Sequence, residues 1–199
     1  MEIVEQYLQG LRQALPEEPR EELALASGAS AEQLQALQQA YPLCPDSLLA
    51  LLGQINGSHW QEYEAGTVSV LMLGADAGMN GYPYYLRSVE QILEDRERGS
   101  DSIADTYSEN GRIDPNWLTL DPRIDAKVSE STRLCFAHCM NNGGTSMLYV
   151  DFVPGEGGVV GQIVRYVHDP DEFCVIADDF DAYLQLVMAR GYEFVDEDD

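Results

Sequence analysis

Apolar residues recur with helical spacing in the N-terminal third of the chain and alternate toward the C-terminus. In residues 2–15, Ile3, Tyr7, Leu8, Leu11 and Leu15 fall on one helical face. Pro16 and Pro19 close that helix and set off an N-terminal arm, residues 1–27. Ser30 and Gln33 have the spacing of a capping box, with Leu34, Leu37 and Tyr41 as the stripe of the helix that follows. Pro42 stops this helix, and Pro45 suits the first turn of the next. Leu48, Leu51, Leu52 and Ile55 line that second helix, and Asn56-Gly57 ends it with residues tolerant of left-handed geometry.

Past Gly57 the period changes. Residues 67–73, TVSVLML, read as a strand, 74–85 as a Gly-, Pro- and Tyr-rich loop, and 86–98 as a helix through Val89, Ile92 and Leu93. The polar interval 99–116 reads as a surface excursion. Short strands are expected at 117–120 and 133–138. The segment 141–162, NNGGTSMLYVDFVPGEGGVVGQ, gives a Gly-Gly turn, a strand ending at Asp151-Phe152, a Pro-Gly turn and the start of a return strand. Residues 172–177 add another strand. Asp178 or Asp179 caps a closing helix whose face is Phe180, Tyr183, Leu184, Val187 and Met188, with Gly191 at its end. Helices first, antiparallel strands next and one helix last predict an α+β fold, a twisted antiparallel sheet packed with helices. The expected divisions are an arm at 1–27, the main domain at 28–191 and an acidic tail at 192–199.

Charge narrows the possible partners. Against 35 Asp and Glu stand only 11 Lys and Arg, a formal charge of −24. Such a field repels nucleic-acid phosphates and anionic membrane surfaces, and it attracts basic proteins. No stretch approaches the roughly 18 apolar residues of a membrane span, and no secretory signal is seen at the N-terminus. Cys44, Cys135, Cys139 and Cys174 form no CxxC pair, and free thiols in apolar contexts point to a reduced, cytoplasmic protein.

The chemistry-bearing residues do not assemble into a reaction centre. No GxSxG elbow, phosphate loop or zinc-protease helix is present. Cys135 and Cys139 neighbour His138, yet simple alternation puts His138 on the strand face opposite Cys135. His168 with Asp169 and Asp171 is a weak cation site. The pairs Asp121/Asp125 and Asp178/Asp179 read as solvated or capping carboxylates. Asp114-Pro115-Asn116 opens like a calcium loop but lacks the later glycine and glutamate. The expectation is a non-enzymatic binding domain without cofactor or metal.

In sequence, the helix-proline-helix segment of residues 28–58, Trp117, Gly143-Gly144, Asp151, Gly161-Gln162-Ile163 and Asp178-Asp179-Phe180 follow one order. That order resembles the SUKH superfamily, in the branch that includes the fungal cell-wall-synthesis regulator. The resemblance implies a helix-packed antiparallel sheet without catalytic residues, in a family whose bacterial members are widely immunity proteins that neutralise toxins, often nucleases. Its fungal members are regulatory scaffolds. The first expectation is therefore an immunity protein with a basic partner, and the alternative is a regulatory module binding a host protein or small ligand. The expected partner face is the loop at 79–85 with Tyr82, Tyr84 and Tyr85, near the acidic Asp101, Asp105 and Glu109. Asp151 is a structural or binding carboxylate.

Overall fold

A computed structural model describes residues 2–75, 82–98, 101–109, 112–140 and 146–195. The tip of the expected Tyr-bearing loop (79–81), Gly143-Gly144, the side chain of Glu109 and the last four acidic-tail residues lie outside them. Helix α1 (Glu2–Ala14) is followed by α2 (Glu17–Leu23), α3 (Ala31–Ala40) and α4 (Asp46–Leu52). The two prolines read as a stop do end α1, but they also start α2: Pro16 precedes it and Pro19 sits in its first turn, where no N–H is missed. Ser30 and Gln33 form the expected capping box, with Gln33 N donating to Ser30 Oγ (3.2 Å) and Ser30 N donating to Gln33 Oε1 (2.7 Å). Helix α4 ends at Leu52, earlier than the sequence suggests. Asn56 instead supports the start of a later helix from across the chain, its Oδ1 accepting from Val89 N (2.9 Å).

The expected strand at 67–73 is broken. Its first part, β2 (Gly66–Val68), pairs with β1 (Gln61–Tyr63) in a small hairpin. Its last part begins β3 (Leu73–Ala75), which pairs with β4 (Tyr82–Leu86). The described part of the segment read as a Tyr-bearing loop is thus sheet. Helix α5 (Val89–Arg98) follows, then α6 (Ile103–Tyr107), a miniature β5 (Ser108–Glu109) and β6 (Arg112–Ile113) pair, and β7 (Thr119–Leu120). A 3-10 turn (Glu130–Thr132) leads into β8 (Arg133–Cys139), β9 (Ser146–Asp151), β10 (Gln162–Val167) and β11 (Glu172–Ala177). Helix α7 (Phe180–Ala189) closes the order, capped by Asp179, whose Oδ1 accepts from Ala182 N (2.7 Å). The main sheet runs β3-β4-β8-β9-β10-β11-β7. It is antiparallel except at its edge, where β7 lies parallel to β11. The fold is α+β.

Each face of the sheet has its own core. Leu134, Phe136, Ala137, Leu148, Val150 and Ile163 pack under the helices, where Val4, Tyr7, Leu8 and Leu11 of α1 join Leu48, Leu51 and Leu52 of α4. Phe136 meets Phe180 and Tyr183 of α7 edge-on, at ring separations of 5.3 and 5.7 Å. The apolar face of the N-terminal arm is therefore part of this core. So are Tyr192 and Phe194, in the segment expected as a tail: the Tyr192 hydroxyl donates to Tyr7 O (2.8 Å). On the opposite face Cys135, Tyr149, Val164, Phe173 and Val175 are covered by Ile103, Leu118 and Ile124. The interval 101–132 accordingly provides the lid of a second core, and its polar look reflects only its outer side.

Strand β8 carries a bulge. Cys135 pairs with Tyr149 and Ala137 with Leu148, so Phe136 is an extra residue. Phe136 and Ala137 both face the helices, and His138, opposite Met147, returns to the face of Cys135. The alternation that separates Cys135 from His138 in the sequence is cancelled by this one residue. Phe136→Ala empties the centre of the helix-side core. It should cost about 3–5 kcal/mol, read as a lowered midpoint in urea denaturation at unchanged α+β circular dichroism.

Candidate functional site

The sequence-predicted site residues separate into two groups. Tyr84 is fully buried under the helices, so it cannot contact a partner. Tyr82 is half-buried against the same core. Tyr85 lies on the other face, its ring 4.6 Å from that of His59. Asp101 and Asp105 are exposed on the 101–132 segment. Asp105 caps α6, its carboxylate accepting from Ser102 N (2.9 Å) and Ser102 Oγ (2.7 Å), and these bonds lower its pKa. The backbone of Glu109 pairs with Arg112.

Asp151 is wholly buried and structural. It stands beside Arg133 on one side and Gln162 on the other, in register across β8, β9 and β10. Asp151 Oδ1 lies 3.4 Å from Arg133 Nε, and Asp151 Oδ2 accepts from Gln162 Nε2 (3.0 Å). Arg133 Nη2 also donates to Asp125 O (2.6 Å), and Gln162 Nε2 to Arg123 O (3.0 Å). The row ties the 121–125 loop to the sheet. Gly158 lets the hairpin turn close over it, since a Cβ there would lie 2.5 Å from Arg123 O.

A cleft of about 220 Å³ opens beside this row, between the last turn of α5, the 3-10 turn and the second face of β8 and β9. Arg87, Arg96, Arg98 and Arg133 line it, four of the 11 cations in the chain. Cys135, Met147 and Tyr149 also line it, and Asp95 and Glu130 are its two acids. Arg87 pairs with Asp95. Arg98 Nη2 meets Glu94 at 3.2 Å, and Arg96 lies over the ring of Tyr41 at 5.2 Å. Burial raises the pKa of Glu130, against the pull of Arg133. A second depression, of about 230 Å³, shares Arg96 and Ser131 with the cleft and is otherwise lined by groups such as Tyr41, Pro42, Leu43 and Phe152.

Next to the arginines, His138 Nε2 and His59 Nδ1 are 2.9 Å apart, one donating to the other. Burial and the Arg87 charge pull His138 down to about 4 and lower His59 as well. The pair is therefore neutral at physiological pH. Burial also pushes the Cys135 thiol up to about 11 and Cys44 up to about 12, away from the range of an activated nucleophile. Among the described residues no group of three or more His, Cys, Asp or Glu is placed to hold a metal ion, and no helix is long and apolar enough to cross a membrane.

The sequence reading passed over three features: the arginine cleft, the histidine pair and exposed Trp60. The histidines are 79 residues apart, so spacing carried no signal. Arg87, Arg96 and Arg98 were a usable signal, a local excess of cations in an acidic chain. Trp117, read only as a sequence marker, is 73% exposed on the outer wall of the 101–132 segment.

The SMI1/KNR4 family (SUKH-1) model matches residues 28–186, and the chain belongs to that family. No curated protein matches it at a significant level.

Two measurements check the buried polar groups. Asp151→Asn leaves the Arg133 charge buried without its counter-ion and should cost about 3–5 kcal/mol in urea denaturation. For His138 the folded pKa lies below the ordinary 6.5, so the unfolded chain takes up the proton first. Its stabilising share is full above pH 6.5, falls as pH drops and levels near pH 4. The difference in urea midpoint between wild type and His138→Gln should follow that window.

Proposed function

We propose that this protein is a cytoplasmic immunity protein that neutralises a basic toxin domain, in the nuclease class, by binding it through an acidic surface. The observation that supports this best is the layout of charge in an SMI1/KNR4 family member. The chain has a formal charge of −24, and four of its few cations are drawn into one cleft. Others are tied to carboxylates: Arg123 to Asp121 (2.6 Å) and Arg165 to Glu172. The outer wall of the 101–132 segment presents Asp101, Asp105 and exposed Trp117. A nuclease holds cations where it grips phosphates, and carboxylates can take the place of those phosphates. Trp117 would supply the apolar anchor that carboxylates lack. The unpaired cysteines fit a reducing compartment.

The test is co-expression with the product of the neighbouring reading frame, expected to carry a toxin domain. Growth should be rescued, the two chains should copurify, and their association rate should fall as salt rises. Asp101→Lys combined with Trp117→Ala should weaken the complex by about tenfold or more. Full toxicity in the presence of folded wild-type protein would sink the proposal.

A further inference from the structure

The arginine cleft is not explained by attraction to a basic partner, because its own charge has the opposite sign. We propose that it is a binding site for a small amphipathic anion, a phosphate or carboxylate group borne on an apolar body.

Arg133 is 97% buried and ion-paired to Asp151, yet its Nε and Nη1 lack a hydrogen-bond partner, and so does Arg87 Nε. A buried guanidinium N–H without an acceptor is costly, and an oxyanion in the cleft would supply one once the side chains over these closed atoms shift to admit it. Arg133 is also held in place, by Asp151 at Nε and by Asp125 O at Nη2, so its free edge is positioned before any ligand arrives.

Four guanidinium groups line the cleft with two carboxylates, Asp95 and Glu130, so its wall concentrates cations in a chain with a formal charge of −24, although Glu94 and Asp151 stand behind Arg98 and Arg133. Arginine presents paired N–H donors that match carboxylate and phosphate oxygens. Glu130 is the group that opposes an anion, and its burial already favours the neutral form.

A ligand's apolar half would find its place beside the cleft. The adjoining depression shares Arg96 and Ser131 with the cleft and offers Tyr41, Pro42, Leu43 and Phe152. Leu43 is 62% exposed there. Arg96, stacked over Tyr41, marks the border between the cationic and apolar halves. A bare inorganic ion would fill only the first.

The test uses phenyl phosphate and 3-phenylpropionate as probes, titrated calorimetrically into the full chain at constant ionic strength set with chloride. At least one should bind saturably, and the tighter of the two identifies phosphate or carboxylate as the preferred head group. Arg96→Gln should weaken that binding about tenfold. Arg12→Gln, the same change at an exposed position of α1, which packs against the opposite face of the sheet, should leave it unaltered. Glu130→Gln should tighten binding. Leu43→Ser should weaken the probe without changing the response to inorganic phosphate. Arg133 is left intact because its loss would expose Asp151 as an unpaired buried charge. The proposal is overturned if neither probe saturates at matched ionic strength, or if Arg12→Gln and Arg96→Gln act alike. Neither outcome depends on whether a toxin is bound.

Discussion

Arg133, Asp151 and Gln162 stand side by side on three neighbouring strands, and much else is arranged around the need to keep them satisfied. All seven residues of β8 are buried, so a guanidinium at its first position has no access to bulk water. It is tolerable only because a carboxylate faces it from β9 and a carbonyl reaches it from the 121–125 loop. Gln162 then satisfies the far side of the carboxylate and binds the same loop through Arg123 O. One polar row thereby fixes the register of β8, β9 and β10 and holds down the lid of the second core. The hairpin residues that carried the family resemblance, Asp151 and Gly161-Gln162, include two of its three members.

The same row connects structure to binding. Because Arg133 is held by the Asp151 ion pair and by Asp125 O, its third nitrogen, buried and without a hydrogen-bond partner, keeps a fixed place in the wall of the cleft. Around it the remaining arginines come from α5 and the residue after β4, elements placed by Val89 and Ile92 in the helix-side core. The acidic wall with Trp117 belongs to a different element, the lid itself, whose inner side is Ile103, Leu118 and Ile124. Two surfaces of opposite sign thus sit on one domain, each supported by its own core.

Much of the fold was legible in the sequence because it depends on local rules. The capping box at Ser30, the cap at Asp179, the strand 172–177 and the apolar stripes of α1, α4 and α7 all lie where periodicity and capping chemistry put them. What was not legible depended on distant partners. TVSVLML reads as one strand, yet its ends join different hairpins. The 101–117 stretch looks polar because only some of its residues face the core. Tyr82, Tyr84 and Tyr85 looked like one exposed cluster, but a strand sends Tyr84 and Tyr85 to opposite faces, and Tyr84 disappears into the helices. The arginine cleft joins residues 87–98 to 130–149, a proximity that no spacing rule encodes.

The bulge at Phe136 gives β8 a change of phase partway along its length. Before it, odd-numbered residues face the second core; beyond it, even-numbered ones do. Deleting Phe136 would remove that change of phase without moving any later residue to the other side. Plain alternation from Cys135 to Ala137 would leave Ala137 and Cys139 under the helices and His138 beside Cys135, so the loss would be the Phe136 ring in the helix-side core. The extra position thus puts two consecutive residues of one strand, Phe136 and Ala137, into the same core, which plain alternation cannot do.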